Sequence, residues 1–442
     1  MLFRLVPAIR LEGRYVVTSR GGLDCPSGIG SFTPGSCMRS ANAMFLPRGP
    51  GLLCSLRQTR LFPSLTTRSL STKAYDPLRI LFCGSDQLSI ASLRALHAEH
   101  VKRPDRIASI DVVCRPAKRV GRGLKQIREV PIKAVATELS LPIHEIDTFT
   151  GWKPPVFPDG PINLIIAVSF GLFVPPRILN DAKYGGLNVH PSILPNFRGP
   201  APLHYTLLAG KTTTGVTLQT LHLQHFDHGA IVAQTPPPGF EIPNPDSCTV
   251  PQLLDLVAPK GAEMLVESIQ KGSFVPPVED AGWYSPDEKH NLTHAAKIRT
   301  EDRHIDWANW TYTDISRRHR VLGPLWSKSL VVSDSSGPNP IFQQRRVIFT
   351  EFEEAKPLKG SEAFALVPGL PFVDGEHTVR HDSGQGVYVY TRDGTLIKVH
   401  QMKVEAQQNA PALRAALKAR MIGSRTFSSH DASFAPFHNP LC

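Results

Sequence analysis

From residue 78 onward the chain alternates short apolar runs with longer stretches of helical period. Leu78–Ser85 (LRILFCGS) is an apolar run ending on Gly84 and Ser85, and a helical pattern follows from Leu88 to His97. Ile110–Cys114 is a second run, succeeded by a basic loop. Pro131–Leu139 predicts a helix and Leu141–Ile146 a further strand. Ile162–Ser169 (INLIIAVS) is apolar at nearly every position, the pattern of a strand buried on both faces. Gly215–Leu223 and Ala230–Thr235 predict two more strands. Val250–Ile269 predicts a closing helix, with Pro251 near its start and Gly272 past its end, where helix termini favour them. Strands alternating with helices argue for an α/β fold with a Rossmann-like, mostly parallel sheet. Such folds bind ligands in the loops at the carboxyl ends of their strands.

The texture changes further on. Pro276, Pro277 and the polar stretch to about Thr300 read as a linker. Arg345–Thr350, Gly386–Thr391 and Thr395–Lys403 are short β runs separated by turn signals such as Arg392-Asp393-Gly394, and a short helix over Ala410–Met421 ends at Gly423. These suggest a small OB-like β-barrel C-terminal domain. The expected organisation is a leader over 1–73, a catalytic domain over 74–275, a linker over 276–300, an OB-like domain over 301–430 and a tail over 431–442.

Composition narrows the class. The 442 residues are 41% hydrophobic and 20% charged, a globular balance that excludes a mostly disordered or collagenous chain. No apolar run approaches the roughly 20 residues that span a bilayer, so a membrane protein is not expected. The net charge of +11 is unevenly placed: residues 1–73 hold nine Arg and one Lys against Glu12 and Asp24, leaving +3 for the remainder. An Arg- and Ser-rich, acid-poor leader is the composition of a mitochondrial transit peptide, with cleavage expected near Ser69–Lys73 and the mature protein in the matrix. The seven Cys residues include no CxxC and no neighbouring His pair, so neither a zinc site nor a disulfide framework is expected, and a reducing compartment fits.

The segment that carries chemistry is Gly185–Gly229. It holds Asn188 and His190, two apart at the end of an apolar strand. A Pro-punctuated loop follows, SILPNFRGPAP from Ser192 to Pro202, and Asp227 then stands in Asp-His-Gly. Residues two apart on a strand project to one side, so Asn188 and His190 should face one pocket. Acyl transfer needs donors at a developing oxyanion, a group that moves protons, and a partner that sets the ionisation of that group. Asn188, His190 and Asp227 can fill those parts without a nucleophilic Ser or Cys if an amine attacks directly. Asp227 is the only acid between Asn188 and Gly229.

The ordered set N-x-H, S-x-L-P-x-x-R-G-x-x-P and D-x-G resembles the formyltetrahydrofolate-dependent formyltransferases. The resemblance extends to CGSDQLSIASLRAL near residue 83, VGRGLK at 120–125, FGLFVPPRIL at 170–179 and GVTLQTL at 215–221. It implies catalytic roles for Asn188, His190 and Asp227. It also implies a folate-binding loop through Ser192, Leu194, Pro195, Arg198, Gly199 and Pro202, with 10-formyltetrahydrofolate as formyl donor and no metal. The sequence departs from the family pattern at Cys83-Gly84-Ser85-Asp86, where bacterial members show Gly-Thr-Pro-Asp, and at Pro191, where Gly is more usual.

The basic run Arg115–Arg128, six cations without an acid, resembles the insertion in the family branch whose acceptor is the amine of initiator methionyl-tRNA. In that branch the loop reaches the acceptor stem, which implies tRNA contacts by Lys118, Arg119, Arg122 and Lys125. The cluster Arg317, Arg318, His319 and Arg320, on a plausible helix, reads either as an exposed basic face or as an extension of that footprint. A monomer is expected. The alternatives are a folate-dependent formyltransferase or deformylase acting on a small molecule, and a non-catalytic RNA-binding protein.

Overall fold

A computed structural model describes residues 73–283, 292–334, 341–358, 367–373 and 386–421. The expected transit peptide over 1–73, except for Lys73, and the expected tail over 431–442 lie outside the described residues.

The first half is a seven-stranded sheet flanked by helices. Its strands are β1 (Leu78–Gly84), β2 (Ile107–Cys114), β3 (Ile143–Glu145), β4 (Leu164–Val168), β5 (Gly186–His190), β6 (Thr217–Thr220) and β7 (Ile231–Gln234). Their spatial order is β3-β2-β1-β4-β5-β6-β7. The first five are parallel, and β6 and β7 add an antiparallel edge. The mostly parallel Rossmann-like reading therefore holds. All five residues of β4 are buried, which is why its sequence shows no alternation.

Around the sheet lie α1 (Gln87–Lys102), α2 (Pro131–Glu138), α3 (Pro176–Asp181), α4 (Pro202–Leu208) and α5 (Val250–Lys271). Asp86 caps α1 by accepting from the Leu88 and Ser89 N–H groups. A Thr249/Gln252 capping box opens α5, and Gly272, in the left-handed conformation, closes it. One sheet face buries Ile80, Phe82, Val112, Ile166 and Leu187 beneath α1 and α5. The other buries Leu81, Cys83, Val113, Ile165 and Ala167. Apolar residues on both faces of five parallel strands are what commit this half of the chain to a layered α/β core.

The C-terminal part begins with α6 (Tyr312–Leu322), opened by a Thr311/Asp314 capping box. An antiparallel sheet follows, with β8 (Leu325–Asp334), β9 (Ile341–Ala355), β10 (Pro371–Phe372), β11 (Val387–Tyr390), β12 (Leu396–Val404) and β13 (Ala410–Pro411). The order is β8-β9-β12-β11-β10, with β13 on β12. Register shifts between Phe349 and Phe352 bend the β9/β12 pair. The coarse expectation of a small antiparallel domain is met; no ladder joins β8 to β10 among the described residues. Helix α7 (Ala412–Lys418) packs on this sheet through Ala412, Ala415 and Ala416.

Helix α6 ties the two cores together, with Ile315 in the C-terminal core and Val321 and Leu322 in the first. Its basic cluster is half-buried rather than an exposed face. Arg317 lies against Gly210, and the Arg318 guanidinium sits 4.0 Å over the Trp310 ring. Arg320 donates to the Pro245 carbonyl at 3.4 Å, and His319 meets Phe352 edge-on.

Candidate active site

The strand order reverses between β1 and β4, which opens a crevice at the carboxyl edge of the sheet. A cavity of about 680 Å3 lies there. Asp86 follows β1, Ser169 follows β4, and Asn188 and His190 end β5, and all four line it. Across the ladders, Ala167 opposes Asn188, Asn188 opposes Gln219, and His190 opposes Thr217. The pleat therefore sends Asn188, His190 and Gln219 out of the same face.

Asp227 joins them from the turn after β6, held at a φ of 57°. Its Oδ2 accepts from the Gly199 N–H at 2.9 Å and its Oδ1 from the Gln219 amide at 3.0 Å. Oδ1 also stands 3.4 Å from His190 Nδ1, and the two side chains are only 7% and 5% exposed. The other imidazole nitrogen, Nε2, is 3.0 Å from the Phe197 carbonyl. Both edges of His190 thus face acceptors, which fixes the ring. Asn188 is half-buried, and its side-chain amide makes no hydrogen bond among the described residues, so it can donate into the cavity. Gln219 was not anticipated from the sequence. It is fully buried, and its Oε1 has no hydrogen-bond partner. The available signal was a lone amide inside the apolar run GVTLQTL.

The Ser192–Pro202 loop divides in two. Gly199 and Pro202 line the cavity; Ser192, Leu194 and Pro195 do not. Ser192 Oγ donates to the Asn196 carbonyl at 2.9 Å, the Leu194 N–H donates to Thr217 Oγ1 at 3.1 Å, and the Gln234 amide donates to the Leu194 carbonyl at 2.7 Å. These bonds make the first half of the loop a scaffold. The second half is edge-bonded to residues 293–295. Phe197 N donates to the Thr293 carbonyl, Ala295 N to the Arg198 carbonyl and Ala201 N to the Ala295 carbonyl, at 2.8, 2.7 and 3.2 Å. Gly199 has φ +120°, and a Cβ there would stand 2.4 Å from the Ala295 oxygen, so only Gly fits. His294 completes that wall of the cavity. The end of the stretch read as a linker is therefore part of the site. Arg198 does not line the cavity; its Nε is buried without a hydrogen-bond partner.

Electrostatics at the carboxyl edge differ from group to group. Burial pushes the Asp86 carboxyl above its ordinary range, against the lowering effect of the hydrogen bonds it accepts at the start of α1. His204, on α4, is pushed down by burial and by the nearby charge of Arg303.

The basic run after β2 forms a small hairpin, Lys118–Val120 paired with Gln126–Arg128. Three residues are too few to carry a period, which is why it reads as a loop. Because β2 is parallel to β1, β4 and β5, the hairpin leaves the same carboxyl edge as the cavity. Arg115 donates to Asp147 at 2.9 Å and anchors its base. Lys118, Arg119 and Lys125 are exposed and carry no ion pair among the described residues. Arg122 begins the turn at the tip, between Gly121 and Gly123, which have φ +81° and +71°. Lys118, Arg119 and Lys125 do not line the cavity.

Residues 78–267 match the Formyl transferase family. The chain is 32% identical over 330 residues to the mitochondrial methionyl-tRNA formyltransferase of Saccharomyces cerevisiae, covering 66% of this chain and 80% of that protein. It is 32% identical over 287 residues to the mitochondrial methionyl-tRNA formyltransferase of Homo sapiens, covering 62% and 67%. The methionyl-tRNA formyltransferase of Bartonella quintana is 32% identical over 252 residues, covering 56% and 74%.

Proposed function

This chain belongs to the formyl transferase family, within its methionyl-tRNA formyltransferases, and from that premise we propose how its residues carry a formyl group from 10-formyltetrahydrofolate to the α-amine of methionyl-tRNA. The product, N-formylmethionyl-tRNA, serves initiation of mitochondrial translation. The observation that carries the reading is the meeting of Asn188, His190 and Asp227 at one end of a cavity. Its size suits one folate-sized ligand.

The amine attacks the formyl carbon and a tetrahedral oxyanion forms. The Asn188 amide donates to that oxyanion, and His190 does so by sharing its Nε2–H between the Phe197 carbonyl and the oxyanion. Asp227, oriented by Gly199 and Gln219, holds the imidazole and passes the proton from the attacking amine toward the leaving folate nitrogen. The carbon–nitrogen bond to folate then breaks, and the proton leaves with tetrahydrofolate. Ser192, Leu194, Pro195 and Arg198 hold the loop, while Gly199 and Pro202 shape the folate side of the site.

Lys118, Arg119, Arg122 and Lys125 contact the acceptor stem of the initiator tRNA. An exposed cationic hairpin at the same edge as the cavity supports this assignment. We divide the chain at 73, 275 and 300. The C-terminal domain over 301–430 is taken as an OB-like barrel facing the tRNA. The relatives' names and the basic leader together support a mitochondrial location, with the matrix as the compartment and the monomer as the working form.

The experiment incubates the protein with 10-formyltetrahydrofolate and methionyl-tRNA and follows formylmethionyl-tRNA, with uncharged tRNA and a small amine as parallel acceptors. Formylation of the aminoacylated tRNA alone is expected. Consumption of the donor without tRNA product would replace this reading with a small-molecule formyltransferase or a deformylase.

A further inference from the structure

The cavity at the carboxyl edge straddles the sheet and has two apolar ends of different chemistry. One end belongs to the sheet face opposite α1 and α5. Phe170 and Val174, in the loop after β4, line it as part of the core on that face. Phe173 of the same loop meets Phe226 edge-on, with ring centroids 5.2 Å apart, and both line the cavity. The other end belongs to the face that α1 and α5 cover. Leu88, Val189, Val250 and Leu254 line it, and all four are aliphatic. Leu88 and Val189 are buried in the core, whereas Val250 and Leu254 are half-buried. These last two stand one turn apart at the start of α5 and so share one side of the helix. Their polar neighbours Gln252 and Asp255 are exposed. The uncovered surface of Val250 and Leu254 is therefore cavity wall. Asp86, which precedes Leu88 by two positions, has its carboxyl engaged by the Leu88 and Ser89 N–H groups.

Resting on the proposed reaction, we infer that the aliphatic end receives the side chain of the amino acid being formylated, with Val250 and Leu254 setting the preference for methionine. The formyl group is planar, and an amine attacks its carbon from one side. Donor and acceptor must then reach the carbon held at Asn188 and His190 from different directions. Those two residues end β5, in the sheet that separates the two ends, so each end can serve one ligand. Chemistry decides which. The donor carries flat rings, and flat rings match the aromatic walls of the first end. The methionyl side chain is flexible and unbranched, with no charge and no hydrogen-bond donor. Aliphatic walls solvate such a chain through dispersion and leave no polar group unpaired. A shorter side chain would fill less of the same space and remove less apolar surface from water. The aliphatic end is thus a place where the enzyme can tell methionine from other amino acids carried by the same tRNA.

The test compares two acceptors built on one initiator tRNA, charged with methionine or with alanine. Steady-state formylation is measured for the full chain and for two variants, Leu254→Phe, which fills the aliphatic end, and Leu254→Ala, which strips it. The wild type should prefer the methionyl form by at least about tenfold in kcat/KM. That ratio should fall about tenfold in Leu254→Phe and by a smaller factor in Leu254→Ala, while KM for the formyl donor stays within about twofold. Both acceptors meet the same protein sample, so a misfolded fraction cancels from the ratio, and a thermal melt checks the fold directly. A ratio that Leu254→Phe leaves unchanged overturns the inference. So does a change confined to the donor KM, which would give this end to the folate. Equal formylation of the two acceptors by the wild type overturns the inference alone. A wild type that formylates neither overturns the proposed reaction itself.

Discussion

Replacing Asp227 with Asn should damage the protein twice, in stability and in turnover, and the two effects can be separated. The carboxylate accepts from the Gly199 N–H on one oxygen and from the Gln219 amide on the other. Asparagine has one acceptor oxygen and a donating NH2 group. In either orientation the NH2 faces a donor, so one buried N–H loses its partner. That costs about 1–3 kcal/mol, which in a domain of this size lowers Tm by roughly 2–12 °C. Gln219 supplies the control. Among the described residues its one side-chain hydrogen bond is the one to Asp227, and its Oε1 is already unpartnered. Gln219→Leu alone should therefore lie within about 1 kcal/mol of wild type, because a lost hydrogen bond is offset by removal of an unpaired acceptor. In the Asp227→Asn background the same change deletes the opposing NH2 and should recover stability, a coupling of about 1–2 kcal/mol. The assay is a double-mutant cycle by thermal or urea unfolding, run beside formylmethionyl-tRNA formation. Turnover should fall about 100- to 10,000-fold in Asp227→Asn and stay low in the double variant. Additive stabilities would refute the donor-conflict argument. Wild-type turnover in Asp227→Asn would remove this carboxylate from the chemistry.

Asn188→Ala and His190→Ala should each lower kcat about 100- to 1000-fold, with circular dichroism unchanged for Asn188→Ala. Near-normal turnover in either variant would take that residue out of the oxyanion site. Alanine at Lys118, Arg119 and Lys125 should weaken tRNA binding and lower the salt dependence of log K by roughly one unit per lost phosphate contact, read by filter binding at several salt concentrations; an unchanged slope would free the hairpin from RNA. Burial, with help from Lys328, pulls the His304 imidazole from an ordinary 6.5 down to about 4. The unfolded chain therefore takes up this proton first, so the stability contributed by the neutral ring is present above about pH 6.5 and is lost as pH falls toward 4. His304→Phe keeps the edge contact with Trp326 and should flatten the loss of Tm over that window; an equal loss in both proteins would assign the acid sensitivity elsewhere.

The hydrophobic pattern located β1 to β4 to within a few residues because both faces of the parallel sheet are covered. Ile162–Ser169 and the observed Leu164–Val168 show the kind of offset involved. Val250–Lys271 was legible for a different reason: Pro251 near its start and Gly272 past its end are chemical marks in the sequence. Helix α4 was not, since Pro202 closes a Pro-rich loop and also opens the helix, and seven residues, about two turns, leave no period to read. Within the site, the spacing of Asn188 and His190 gave their common face, because a strand has a fixed period of two. The contact of His190 with Asp227, and the support from Gln219 and Thr293–Ala295, depend on pairings between distant segments. No local pattern encodes those. The basic residues of α6 illustrate the converse, because charge alone predicts exposure. Packing on Trp310 and Gly210 decided otherwise.

The bonds from residues 293–295 to the Phe197–Ala201 segment have a consequence for the timing of biosynthesis. Thr293 donates to Asn196 across 97 positions of sequence. A chain entering the matrix N-terminus first delivers the cavity wall before the strip that braces it. In that interval the sheet can already be complete from β1 to β7, while the loop that carries Gly199 stands unbraced. The entering chain can therefore gain its fold before its competence. A chain terminated between α5 and residue 293 would keep the first and lack the second.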